Sequence, residues 1–138
     1  MKARLALPVI WSLTGALLLK LFVSWNRLPE RVAVHFNIRM EPNGWSSRGD
    51  LAAIVLLAVL GEAALASWAV LRWGSAGGLG GLILLAVNIV LVSAFWQVIS
   101  YNAQGTPFQP LWIYLPLIAL FAGIAVFLTT QMLAYQRQ

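Results

Sequence analysis

Three polar side chains in a short alternating segment are the first candidates for chemistry in this sequence. His35, Asn37 and Arg39 lie two residues apart, and alternate positions of an extended strand share one face. The three side chains are therefore expected to present donors and acceptors together, to an external peptide or to a lipid headgroup. His35 would make such a site sensitive to pH near neutrality. Trp45 and Arg48 follow closely and are candidates for the same recognition surface.

His35 is the only histidine of the chain, and two other interpretations of it compete with recognition. A metal site would need oxygen ligands from Asn37 or from the nearby acidic residues, and one histidine with scattered carboxylates is a weak metal signal. We therefore predict no metal site. The favoured interpretation is structural: His35 hydrogen-bonds loop backbone or Asn37 and holds the segment on the helix ends.

A second polar group lies inside the apolar part of the chain. Glu62 and Asn88 are almost equally distant from the middle of the short connection 72–78, which places them at similar depth in a membrane. An ionised carboxylate there costs about 2.5 to 3.5 kcal/mol, so protonation or a partner is expected. The structural interpretation is a hydrogen bond between a protonated Glu62 and Asn88. The functional alternative is a proton or ion relay with Lys20 as counter-charge, although Lys20 can also extend to the interface.

Enzyme, cofactor and nucleic-acid functions receive no support from the motifs. No carboxylate pair is spaced for acid and base catalysis, and no nucleophile motif or glycine-rich phosphate loop is present. The chain has no cysteine, which excludes disulfides and thiolate ligands. The net charge of +5 comes from scattered basic residues, for which anionic lipid headgroups are a sufficient partner. We expect no catalytic residue, no cofactor and no nucleic-acid partner.

Long apolar segments must position these side chains. Of the 138 residues 61% are hydrophobic and 9% are charged, which leaves too little polar surface for a water-soluble globule. A membrane-crossing helix needs about 20 apolar residues. Four stretches qualify: residues 5–25, 51–71, 79–100 and 111–133. We predict an all-α membrane protein, a single integral membrane domain over residues 1–138 with four antiparallel transmembrane helices. A short extended capping loop, residues 26–50, lies between helices 1 and 2.

The capping loop has local signals of its own. Apolar Val32, Val34, Phe36 and Ile38 alternate with the more polar residues between them, which predicts one half-buried strand from Arg31 to Arg39. Pro29 and Pro42 flank this strand. Pro42, Asn43 and Gly44 are typical of a turn in which Gly44 takes a positive φ. Ser47 and Asp50 have the spacing of a capping box, which predicts the start of the second helix.

Four spans place both termini on one side of the membrane and the capping loop on the other. Each side then carries four basic residues, so the loop-charge rule gives a tie. These residues are Lys2, Arg4, Arg72 and Arg137 on one side and Arg27, Arg31, Arg39 and Arg48 on the other. The basic residues of the amino-terminal tail have no acidic residues near them in the sequence, whereas the basic residues of the capping loop do. We therefore expect a multi-pass protein with its termini in the cytoplasm.

The loop also carries a resemblance to a known family. Leu28-Pro29, Val32, His35-Phe36-Asn37, Pro42, Gly44-Trp45 and Ser47-Arg48 resemble the amino-terminal domain of unknown function of SdpI-type bacterial membrane proteins, which include bacteriocin-immunity proteins. Met40 stands where that family usually has Gly, and Asn43 where it usually has Asp. The resemblance implies a location in the bacterial inner membrane and immunity for some members, and it implies no chemistry.

These observations give three expectations of function. The first is a non-enzymatic recognition or immunity-type protein that binds an external peptide, signal or partner protein through residues 28–50. The second is a small transporter, channel or ion-relay subunit that uses Glu62 and Asn88. The third is a structural subunit of a membrane complex, and a homo-oligomer also stays open.

Overall fold

The computed structural model describes residues 6–73 and 78–135. Its elements follow in the order α1 (Ala6–Ser24), a 3₁₀ turn (Trp25–Arg27), β1 (Arg31–Phe36), β2 (Pro42–Ser47), α2 (Arg48–Trp73), α3 (Gly78–Gln104) and α4 (Leu111–Tyr135). The chain is 77% helical, which confirms the predicted class of fold with an extended segment between the first two helices. Lys2, Arg4 and Arg137, which entered the charge comparison, lie outside the described residues, as does most of the connection 72–78.

Three of the helices are long and apolar enough to cross a membrane. Among the described residues these segments are Ala6–Arg27, Arg48–Arg72 and Ile83–Gln104. The shortest have 22 residues, about 33 Å of helix at about 1.5 Å per residue, against a hydrocarbon core about 30 Å thick. The apolar segment found in α4 is shorter, Tyr114–Val126. The four helices are confirmed, and the fourth transmembrane span stays a prediction.

Buried residues recur at helical spacing along the first two helices. In α1 they are Ala6, Ile10, Thr14, Leu17, Leu21 and Ser24. In α2 they are Leu51, Val55, Val59, Ala63, Ala66 and Val70. Steps of three and four residues keep one stripe turned toward the neighbouring helices. The apolar residues outside the stripes are exposed or half-buried, as expected of a surface that faces lipid.

Helix α3 is the centre of the packing, because it contacts each of the other three helices. α1 packs most extensively against it, and α1 also contacts α2. In that second contact the indole Nε1 of Trp11 donates to Ser67 Oγ at 3.0 Å. Ser67 in turn donates to the carbonyl oxygen of Ala63 at 2.8 Å. Helix-to-helix hydrogen bonds of this kind stabilise bundles where no water competes.

The hydrophobic core extends from the helices into the segment between α1 and α2. Leu28 and Val32 belong to the same buried cluster as Leu17, Val55 and Ile99. Val32 is fully buried. This segment therefore folds onto the helix ends as a lid, as predicted for the capping loop.

The lid is a two-stranded antiparallel hairpin, where the sequence predicted one strand from Arg31 to Arg39. β1 ends at Phe36, and residues 42–47 form the second strand. The predicted turn at Pro42 is therefore wrong, because Pro42 already pairs with Phe36. Ile38, predicted on the buried face, is 91% exposed because it lies in the turn and no longer in the strand. Pro29 lies in the connection before β1.

Candidate functional site

The tip of the hairpin, residues 37–41, is organised by the side chain of Asn37. Asn37 Oδ1 accepts from the backbone N–H of Arg39 at 2.8 Å and of Glu41 at 3.0 Å. Asn37 Nδ2 donates to Glu41 Oε2 at 3.0 Å, and the Asn37 amide donates to the Glu41 carbonyl oxygen. Asparagine commonly closes turns in this way. The side chain of Asn37, expected among the recognition residues, is therefore occupied in holding the turn.

One residue in the tip has a left-handed backbone conformation. The sequence predicted a positive φ at Gly44, but the residue that adopts it is Met40. Met40 has φ +60°, a region that glycine adopts without steric cost. Gly44 lies in β2 opposite His35. A Cβ on Gly44 would lie 2.7 Å from His35 Cβ, closer than packed carbon atoms allow. Glycine is thus needed at position 44 for close approach to a neighbouring side chain.

The side chain of His35 is hydrogen-bonded to the side chain of Asn43. The sequence suggested loop backbone or Asn37 as its hydrogen-bond partner. His35 Nδ1 is hydrogen-bonded to Asn43 Oδ1 across the two strands. The pairing of the two strands is irregular around His35. Ala33 faces Trp45, so His35 would face Asn43 in a regular antiparallel pair. Instead His35 faces Gly44, and Phe36 faces Pro42. Asn43 is left as an extra residue in β2 beside His35. An irregularity of this kind aims a side chain out of the regular pattern.

The hairpin is fastened to the carboxyl end of α3 by Asn102. Asn102 Oδ1 accepts from the Ala33 amide at 2.7 Å, and its Nδ2 donates to the Ala33 carbonyl oxygen at 2.8 Å. The side chain thus acts as a strand partner for a residue of β1. The third apolar stretch of the sequence ends at residue 100, whereas α3 continues to Gln104 and so includes Asn102. No local pattern identifies this contact, because the two residues are 69 positions apart.

Aromatic packing supports the same attachment. The ring of Phe36 meets Tyr101 edge-on at 5.1 Å between centroids, and it lies 4.6 Å from Phe108. Aromatic pairs at such separations add about 0.5 to 1.5 kcal/mol to the burial of their surface. Phe36 therefore holds the end of β1 against α3 and the following loop.

The start of α2 fixes the other end of the hairpin. Ser47 Oγ accepts from the Asp50 amide at 3.0 Å, and Asp50 Oδ2 accepts from the Ser47 amide at 3.3 Å. This is the predicted capping box, and Asp50 Oδ2 also accepts from Ser46 Oγ at 2.9 Å. Arg48, proposed for recognition, lies with its guanidinium carbon 5.2 Å from the centroid of the Trp25 ring. Arg48 thus packs on the 3₁₀ turn that follows α1.

Eight of the 17 residues 31–47 of this fastened hairpin are exposed. Ile38 at the tip is 91% exposed and Trp45 in β2 is 52% exposed. His35 and Arg39 are exposed as well. Beneath the tip lies an open cavity of about 410 Å³ between the hairpin, α3 and the first turn of α4, lined mostly by apolar side chains that include Phe95. The hairpin therefore presents charged, aromatic and aliphatic groups beside an apolar groove.

The intramembrane candidates meet as predicted, with one additional member. Asn88 Nδ2 donates to Glu62 Oε2 at 2.7 Å, and it also donates to Thr14 Oγ1 at 3.2 Å. Asn88 and Thr14 are buried. Lys20 Nζ lies 5.3 Å from the centroid of the Trp96 ring, so its role as counter-charge stays a prediction. Thr14 was missed because no sequence signal fixes the level of α1 relative to α2 and α3.

The geometry offers little for metal chemistry in the part of the chain that the structure describes. There, no group of three or more His, Asp or Glu side chains lies close enough to hold an ion. His35 is committed to an amide oxygen and not to a carboxylate.

These features define a class of protein: the apolar helices fit an integral membrane protein with a structured hairpin between its first two helices. Within it, residues 12–61 match the family model of Domain of unknown function (DUF1648), which is found in membrane proteins. The match covers 50 of the 138 residues, from the middle of α1 through the hairpin into α2. No curated protein and no solved structure matches the chain.

Proposed function

We propose that this chain is a non-enzymatic membrane protein whose hairpin recognises an external peptide or partner protein. The observation that carries the proposal is that the hairpin has a fixed backbone and exposed side chains. Its backbone is fastened by Asn102 and by the capping box, yet Ile38 and Trp45 are exposed to solvent. A rigid support that presents exposed aromatic, aliphatic and charged groups loses little conformational entropy on binding.

Within this proposal the contact residues are Ile38, Arg39 and Trp45. Trp and Arg are enriched among the residues that dominate binding energy in protein interfaces. Asn37 and His35 contribute indirectly, because their side chains hydrogen-bond Glu41 and Asn43 and so hold the shape of the tip. Alanine substitution of Asn37 or His35 would disturb the hairpin itself and therefore tests recognition poorly.

The orientation follows from the same proposal. Recognition of an external peptide requires the hairpin on the outer face of the bacterial inner membrane, with the termini in the cytoplasm. The resemblance to SdpI-type proteins, and to their immunity-related members, supports a peptide as the ligand. The arrangement of basic residues is compatible with this orientation.

Photo-crosslinking in intact cells tests the proposal. A photoreactive residue in place of Ile38 is expected to give an adduct of discrete mass with a peptide or protein. The matched control replaces Leu57, which lies on α2 and is 76% exposed, and should crosslink to lipid only. Arg39→Glu or Trp45→Ala should weaken the adduct at position 38, since loss of such a residue costs about 2 kcal/mol, roughly 30-fold in affinity. Lipid adducts alone at both positions would contradict recognition.

A transport or relay function is the weaker candidate. Asn88 is fully buried and Thr14 is 1% exposed, so their contact is a packed junction between helices. A water-filled path would expose such side chains. Glu62→Gln is therefore expected to leave recognition intact, whereas loss of function in that variant alone would favour transport.

A further inference from the structure

The junction of Thr14, Glu62 and Asn88 contains two buried oxygen atoms that accept no hydrogen bond from the described part of the chain. Asn88 Nδ2 is fully used, because it donates to both Thr14 and Glu62. Glu62 Oε1 and Asn88 Oδ1 are buried and have no hydrogen-bond partner among the residues that the structure describes. An unmet buried polar atom costs about 1 to 3 kcal/mol. These two oxygen atoms belong to side chains that are already joined at 2.7 Å, so one hydrogen atom between the two groups would satisfy both oxygens.

We propose that Glu62 and Asn88 form a proton-binding site inside the helical bundle. The bound proton forms an O–H bond at Glu62 Oε1, which converts the carboxylate into a neutral acid. This O–H group then donates a hydrogen bond to Asn88 Oδ1. The acid and the amide are then joined by two hydrogen bonds, one in each direction. A single proton satisfies both orphaned oxygens and removes a charge from the apolar interior.

Other ligands fit the same atoms less well. Neither oxygen has surface exposed to bulk water, because both are buried. A metal cation would need several oxygen atoms facing it, whereas the Asn88 amide turns its hydrogens toward both Glu62 and Thr14. The proton is therefore the ligand that matches the donor and acceptor pattern.

The charged groups on the neighbouring helices do not replace the proton. On α1, Lys20 is six residues from Thr14, about 9 Å along the helix, and its ammonium group lies over Trp96. On α2, Arg72 is ten residues from Glu62, about 15 Å along the helix, and is exposed. The sequence of α3 contains no charged residue. A neutral Glu62 is thus the form that this environment accommodates.

Infrared spectroscopy of the full-length protein in lipid bilayers tests this proposal independently of recognition. At neutral pH the wild-type protein should show a carbonyl band of a protonated carboxylic acid, and Glu62→Gln should lose it. Gln keeps both hydrogen bonds to Asn88, so this variant should fold normally. Glu41→Gln is the matched control, an exposed acid that also accepts from an asparagine, and should retain the band.

A third variant identifies the partner of the acid. Asn88→Leu removes the amide that donates to Glu62, so any remaining acid band should move to higher frequency. An unchanged band in Asn88→Leu, a band that persists in Glu62→Gln, or the absence of an acid band from the wild-type protein would each overturn the proposal. The wild-type spectrum decides the matter even if a variant fails to fold.

Discussion

Asn102 in the last turn of α3 pairs through its side-chain amide with both backbone groups of Ala33 in β1. Its Nδ2 also donates to the Val98 carbonyl oxygen at 2.8 Å, one turn back in its own helix. Ala33 is fully buried, so its N–H and C=O would have no replacement partner in water. This side chain therefore ties the hairpin to the helical bundle through hydrogen bonds to both backbone groups of Ala33.

Asn102→Leu is expected to release the hairpin. The substitution leaves the Ala33 N–H and C=O unmet, at a cost of about 1 to 3 kcal/mol for each group. Limited trypsin digestion in detergent micelles should then cut faster after Arg31 and Arg39. Gln104→Leu, at an exposed position two residues further along α3, is the control and should leave the rate unchanged. Equal cleavage in both variants would show that Asn102 does not hold the lid.

Gly44→Ala should destabilise the protein through a steric contact. The new Cβ would lie 2.7 Å from His35 Cβ, and both atoms are next to backbone, so the strands must separate. Overpacking of this kind costs about 1 to 3 kcal/mol. Gly49→Ala is the matched control, since its Cβ would meet Ser47 Oγ at an ordinary 3.6 Å and alanine favours helix. Thermal unfolding in micelles should separate the two variants, and an unaffected Gly44→Ala would refute the contact.

Ser47→Ala removes the acceptor at the start of α2. The Asp50 amide, which donates to Ser47 Oγ, loses its partner, and the expected loss in free energy of unfolding is about 1 kcal/mol. Ser47→Thr keeps a hydroxyl and should preserve most of the stability. Denaturant titration of micellar protein measures both. A Thr variant as weak as the Ala variant would argue against capping as the cause.

Ile38→Cys should report which side of the membrane the hairpin occupies. The chain has no cysteine, and position 38 is the exposed tip of the turn. A membrane-impermeant maleimide added to intact cells is expected to label this variant. Arg72→Cys, at the opposite end of α2, should be labelled only after permeabilisation. The reverse pattern would place the hairpin in the cytoplasm and exclude recognition of an external ligand.

The features that local sequence could predict are those in which one short segment determines the outcome. The helices follow from apolar length, and the capping box follows from the spacing of Ser47 and Asp50. The contact between Glu62 and Asn88 was predictable because a short connection fixes the depth of two helices together.

The hairpin was predicted only in part, because side chains decide where it turns. Alternation continues through Ile38, but the Asn37 amide captures two backbone N–H groups and ends the strand first. The attachment to α3 was beyond local reasoning, since Asn102 reaches Ala33 across 69 positions. Contacts of this range depend on how helices pack, which a single sequence does not specify.

The separation along the sequence between the hairpin and Asn102, which anchors it, also sets the order in which the two are synthesised. Residues 31–47 emerge well before Asn102, which follows Ala33 by 69 residues. At about 5 to 20 residues per second, the anchor is made about 3 to 14 seconds later. During that interval the newly made strands can pack against the first two helices, but they lack the hydrogen bonds to Asn102. Insertion of the third helix is therefore the step that completes the attachment of the lid.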